Sequence, residues 1–173
     1  MTQELTNLRN SILEERYADA MAMIDELEAM SRQAILRQIE FFISQLLIGL
    51  IKNQVEQRLT NAWVASISDA IRQIKKLNSQ GDKTTYYITK DDWATLIDDE
   101  FESSIDAASV ETLDGIYTPF QLAKMIDKTQ VVLIAQKFLF LTYDYPIKEL
   151  PAIVKENLVQ LVGGEEWKKG RWY

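Results

Sequence analysis

The sequence predicts an all-α protein, a multi-helix bundle of about six to seven helices around one central apolar helix. Three observations carry that expectation. Residues 4–78 contain no Pro and a single Gly, Gly49. Their apolar positions recur at three- and four-residue spacing, which keeps one face of a helix apolar. The one stretch of strand-like composition, VVLIAQKFLFLTY at 131–143, sets its apolar residues in blocks of four instead of alternating them, so it too is expected to be a buried helix, with a lone strand as the other reading.

The expected elements follow from caps and breakers. A first helix covers about residues 4–14 and a second about 17–30, with Ala20, Met23 or Ile24, Leu27 and Met30 inward. Ser31 is an N-cap candidate, since its hydroxyl can accept from an orphan N–H at a helix start. It would open a third helix over about 32–57 with an inward stripe of Ile35, Ile39, Phe42, Ile43, Leu46 and Leu50. Phe42 and Leu46 are expected at the centre of the core. Thr60 caps a fourth helix carrying Trp63, Ile67, Ala70, Ile71, Ile74 and Leu77 inward, with Arg72, Lys75 and Lys76 near its end, where cations suit the helix dipole.

Composition then changes at NSQGDKTTYYITKDD, a linker candidate. It divides the chain into an N-terminal helical region, 1–80, and an acidic C-terminal region, 81–173, expected to pack together as one domain. The first region has 9 Lys and Arg against 10 Asp and Glu; the second has 10 against 16, so the acidity lies there. Thr89 and Asp92 resemble a capping box ahead of Trp93, Leu96, Ile97, Phe101, Ile105 and Ala108. Thr118 followed by Pro119 is a cap and first helical position, opening a helix to about residue 143. Pro146 and Pro151 mark a turn and a last helix, with Val154, Leu158 and Leu161 inward and Gly163-Gly164 at its end.

Composition closes off several chemistries. With no Cys and no His there is no thiolate or imidazole nucleophile, base or metal ligand, so any catalysis would use carboxylates, Lys, Tyr or hydroxyls. A net charge of −7 argues against the broad basic surface of a sequence-independent nucleic-acid binder. The acidic and amide residues among the first 17, where a secretory signal has a basic start and an apolar run, together with the missing cysteines, lead to the expectation of a cytoplasmic protein. No catalytic residue and no cofactor is expected. A glycine phosphate loop is not expected either, because Glu165, Glu166 and Trp167 separate Gly163-Gly164 from Lys168.

The least polar stretch is FFISQLLIGLI, residues 41–51, flanked by Glu40 and Lys52. A membrane span needs about 20 apolar residues, so a span is not expected. Phe41, Leu47, Ile48 and Ile51 lie off the inward stripe. They are either covered within the chain or form an interaction surface for a protein partner, a homodimer being the simplest case. Gly49 in mid-helix costs about 1 kcal/mol relative to Ala, which points to a close helix approach.

MIDELEAMSRQAILRQIEFFISQLLIGLIKN and the following QRLTNAWVASISDAIRQIKKL resemble the domain-of-unknown-function family numbered 29, widespread in cyanobacteria. The likeness rests on Asp25-Glu26, Glu28, Met30-Ser31-Arg32, the apolar run ending in Lys52, and Trp63, and covers roughly residues 4–78. It implies an all-helical cytoplasmic protein of unassigned activity. Family members often have a His before Leu-Leu-Lys, where this chain has Gly49-Leu50-Ile51-Lys52, so no catalytic residue is carried over.

Two further constellations stand out. In DDWATLIDDEFESSID the carboxylates Asp98, Glu102 and Asp106 recur every four residues; they could hold Mg²⁺ or Mn²⁺, although an acidic solvated face has the same pattern. The tail EEWKKGRWY interleaves Trp167, Trp172 and Tyr173 with Lys168, Lys169 and Arg171, as a nucleic-acid or membrane-surface segment would, and as aromatic packing or a loose terminus also would. The leading expectation is a non-catalytic interaction or scaffold protein; the other is a carboxylate-dependent divalent-metal enzyme.

Overall fold

The computed structural model describes residues 2–80 and 85–170. It is 82 % helical without strands among those residues, in keeping with the all-α expectation. The helices are α1 (Thr2–Leu13), α2 (Tyr17–Glu56), α3 (Asn61–Asn78), α4 (Trp93–Glu111), α5 (Pro119–Met125), α6 (Lys128–Asp144), α7 (Leu150–Val159) and α8 (Gly164–Lys168). Close contacts divide the chain into two units, Met1–Arg37 and Gln38–Tyr173. The division falls inside α2, and the compositional boundary near residue 80 lies within the second unit.

In the first unit α1 turns back onto the start of α2. The reversal uses Glu15, a non-glycine residue at φ 59°, with Arg16 N–H donating to Ser11 C=O at 2.8 Å. That six-to-one bond around a left-handed residue satisfies carbonyls at the end of a helix. Ser11 is buried, and its hydroxyl donates to Met23 Sδ at 3.7 Å.

Ser31 does not cap a helix. α2 runs through it unbroken, and the two helices expected at 17–30 and 32–57 are one. A cap is worth about 1 kcal/mol, too little to offset the lost intrahelical bonds where Met30, Ser31 and Arg32 are all exposed and no neighbour covers a new turn. α2 ends instead at Gln57, another left-handed residue, φ 54°.

The second unit has the core. α3 packs on α6 and α7, and α4 on α5 and α6. Ile39, Ile43, Leu46, Leu47, Leu50 and Ile51 of α2 are buried with Ile67, Ile71 and Ile74 of α3, Trp93, Ile97 and Phe101 of α4, and Phe138 and Leu139 of α6. Phe42, expected at the centre, is only half-buried, whereas Leu46 is fully buried. A Cβ on Gly49 would lie 2.6 Å from Ile67 Cγ1, so the close approach inferred from that glycine is between α2 and α3. Ser44 and Ser104 join α2 to α4 through a 3.1 Å hydroxyl contact.

The caps form as read at Thr60, which accepts from Trp63 N–H at 3.2 Å, at Thr89 with Asp92, and at Thr118. Thr118 also exchanges bonds with Gln121, closing a full capping box. The helix expected over 118–143 is divided, however, because Asp127 caps a new start by accepting from Gln130 N–H at 3.2 Å. The Gln54 side chain clamps the break, donating to Asp127 C=O at 3.3 Å and accepting from Asp127 N–H at 2.7 Å.

The compositional linker is a closed loop at its base. Ser79 pairs with Tyr86, Gln80 N–H donates to Thr85 C=O and Tyr87 N–H to Asn78 C=O. Residues 81–84, between these ends, lie outside the described residues. Buried Asn78 holds Ile88 by both its N–H and its C=O, at 2.7 and 2.9 Å. Tyr143 completes the cluster: its hydroxyl donates to Ile88 C=O at 2.6 Å and accepts from Trp93 Nε1 at 2.7 Å.

Candidate functional site

The residues singled out on α2 do not share one surface. Leu47 and Ile51 are fully buried in the second unit, Ile48 is partly covered, and Phe41 alone is open, 57 % exposed with its ring edge-on to Phe42 at 5.2 Å. Leu47 and Ile51 therefore offer no surface to a partner. They look surplus on a single-stripe reading because α2 is covered from more than one side here, by Ile67 of α3 at Gly49 and by Ser104 of α4 at Ser44.

The acidic residues Asp98, Glu102 and Asp106 line the outside of α4, all exposed. Lys128 Nζ engages Asp98 at 2.7 Å. Among the described residues no three Asp or Glu side chains come together as a metal-binding group. Of the aromatic-basic tail, Trp167 is half-buried and donates from Nε1 to Asn61 Oδ1 at 2.9 Å, while Trp172 and Tyr173 lie outside the described residues.

A polar cleft that the sequence did not suggest lies where α2 ends. Its volume is about 360 Å³, and it is lined by Lys52, Glu56, Arg58, Trp63, Glu111, Leu113 and Asp114. Three of the neighbouring residues have left-handed backbones, Gln57, Leu113 and Asp114, with φ of 54°, 50° and 59°. Burial pushes the Lys52 ammonium below its usual range, against the opposing effect of Glu56. Two ion pairs lie in the cleft, Lys52 with Glu111 and Arg58 with Glu56 at 3.0 Å, and the second Glu56 oxygen accepts from Leu113 N–H at 3.3 Å. Arg58 also stacks over the Trp63 ring at 4.9 Å. This network ties the end of α2 to the turn after α4.

The first unit carries the larger open feature. Along α2, Ile24, Leu27, Met30 and Ala34, with Glu28 and Ser31, line an apolar groove of about 570 Å³. Leu5, Ile12, Leu13, Tyr17, Met21 and Met30 of the same unit are all exposed, Leu13 by 72 % and Met21 by 57 %. Only Ser11 and Ala20 are buried among the described residues of this unit. A pair of helices of this size cannot enclose its own apolar stripe. In the sequence this surface reads as an ordinary amphipathic helix; nothing in the pattern says that the facing helices are missing.

Comparison of the chain with protein-family models, with curated proteins and with solved structures found no match.

Among the described residues α2 is the one helix long and apolar enough to cross a membrane by length and composition, with a mean hydropathy of 1.6 over 18 residues, 39 % of them buried inside the protein. The eleven-residue count of the sequence reading understated this length. Of its most apolar positions, Ile39, Ile43, Leu46, Leu47, Leu50 and Ile51 are buried in packing the second unit, whereas Phe41 is exposed.

Proposed function

We propose that the protein is a non-catalytic, cytoplasmic interaction module whose first unit presents an apolar helical face to a protein partner. The observation that carries this reading is the exposure of Leu5, Ile12, Leu13, Tyr17, Met21 and Met30 on a unit that buries almost nothing itself. Beside them the groove lined by Ile24, Leu27, Met30 and Ala34 is a continuous open apolar surface, and such patches commonly mark interaction sites. The absence of His and Cys from the whole chain and the pairing of Lys52 with Glu111 and of Arg58 with Glu56 in the polar cleft support a non-catalytic role.

Affinity capture from the native cell, with the parent and with a Met21→Glu plus Met30→Glu variant, tests it. Both side chains are more than half exposed, so the variant keeps its fold. Partners held by the parent and lost by the variant, at an unchanged melting midpoint, support the reading. An identical set of partners on both proteins overturns it.

A further inference from the structure

The polar cleft at the end of α2 is ordered by charge. Its cations lie low: the Lys52 side chain is 12 % exposed, and Arg58 holds Glu56 Oε1 with two nitrogens, at 3.1 and 3.0 Å. Glu56 itself is 11 % exposed and committed, to Arg58 and to Leu113 N–H. The other two carboxylates stand at the mouth. Glu111, the partner of Lys52, is 62 % exposed, and the exposed Asp114 side chain makes no hydrogen bond or ion pair among the described residues. The rest of the lining is apolar, from half-buried Trp63 and Leu113.

The walls are set before anything enters. Buried Asn53 fixes the turn that carries Arg58 by donating to Arg58 C=O and to Val162 C=O. A Cβ on Gly163 would lie 2.6 Å from Arg58 Cα, so only a glycine lets the two segments seat this closely. Four non-glycine residues have left-handed backbones among the described residues, and three of them, Gln57, Leu113 and Asp114, adjoin this one cleft. Such conformations cost free energy outside glycine and gather where a ligand is held. A volume of about 360 Å³ falls within the range that takes a small molecule.

We infer that the cleft binds a free α-amino acid with an apolar side chain, its carboxylate on Lys52, its ammonium on Asp114 and Glu111 at the mouth, and its side chain against Leu113 and Trp63. The charge order selects this class. A carboxylate that enters takes Lys52 from Glu111 and strands no charge, because Lys52 stays paired and the exposed Glu111 is solvated by water. An anion with no ammonium would meet Glu111 and Asp114 uncompensated. A cation with no carboxylate that drew Glu111 away would leave the mostly buried Lys52 unpaired, which is the costly arrangement. All these residues belong to the second unit, and occupancy of the cleft does not depend on the reading of the first.

Isothermal titration calorimetry of the full chain with L-leucine and L-phenylalanine tests this, with N-acetyl-L-leucine and L-leucinamide as ligands that lack one charge each. Saturable one-to-one binding of at least one amino acid is expected, weakened about tenfold or more when either ligand charge is removed. Lys52→Met should weaken it to the same extent, and Asp114→Asn by about threefold, since its carboxylate is exposed and screened. Thermal melts check the folding of both variants; if Lys52→Met is destabilised, the exposed Asp114→Asn and the two modified ligands decide. No saturable binding of either amino acid at millimolar concentration overturns the inference. Binding that is equal in the parent and Asp114→Asn, or equal for L-leucine and N-acetyl-L-leucine, overturns it as well.

Discussion

Residues 17–37 and 38–56 belong to one uninterrupted helix, yet in the first stretch only Ala20 is buried, whereas in the second Ile39, Ile43, Leu46, Leu47, Gly49, Leu50, Ile51 and Asn53 all are. Both stretches have apolar residues at helical spacing. They differ in what has come to rest on them. Ile67 reaches Gly49, Ser104 meets Ser44, Gln54 clamps Asp127, and buried Asn53 donates to Arg58 C=O at 3.1 Å and to Val162 C=O at 2.7 Å. A helix's apolar stripe thus states a requirement for cover without stating whether its own chain or another supplies it.

Side-chain truncation should widen the contrast most. Leu47→Ala, which removes a fully buried side chain, is expected to cost about 2–5 kcal/mol, while Met21→Ala at an exposed site on the same helix should stay within about 0.5 kcal/mol. Denaturant melts of the two variants check this; equal losses would mean that the first stretch is covered as fully as the second.

Small substitutions probe the same helix with opposite signs. Gly49→Ala adds a methyl 2.6 Å from the buried Ile67 side chain, and its overpacking cost of about 1–3 kcal/mol should outweigh the gain in helix propensity of about 1 kcal/mol. Ser31→Ala, in the exposed stretch, should instead stabilise the protein by about 0.5 kcal/mol or less, through propensity alone. The sign at Ser31 is diagnostic, since loss of a working N-cap would cost about 1 kcal/mol. Thermal melts read both.

A pH dependence separates the two units as well, because it belongs to the second. Burial raises the Tyr143 phenol from its ordinary value near 10 to about 12, against the lowering effect of its bonds with Trp93 and Asn78. Below pH 10 the phenol is protonated in folded and unfolded chains alike, and its contribution is complete. Between about 10 and 12 the unfolded chain loses this proton first, so it binds fewer protons than the folded chain and stability falls as pH rises. Tyr143→Phe should be less stable than the parent at neutral pH, having lost the bonds to Ile88 and Trp93, and should lose less across the alkaline window. Parallel alkaline profiles for the two proteins would place the sensitivity elsewhere.

The all-helical class is legible in the amino-acid order, because propensity, three-to-four spacing and the caps at Thr60, Thr89 and Thr118 act over a few residues and need no distant partner. Gly49 went further and announced a tight helix contact. The ends of the long helix are not legible there, since Glu15 and Gln57 take left-handed conformations with no glycine to signal them, and Ser31 has the chemistry of a cap without a turn to cap. The Asp127 break depended on Gln54, 73 residues away in the chain. Which apolar residues are core and which are surface was settled the same way. Leu47 and Phe41 look alike in a periodic pattern, and their burial differs because it depends on neighbours brought in from remote parts of the chain.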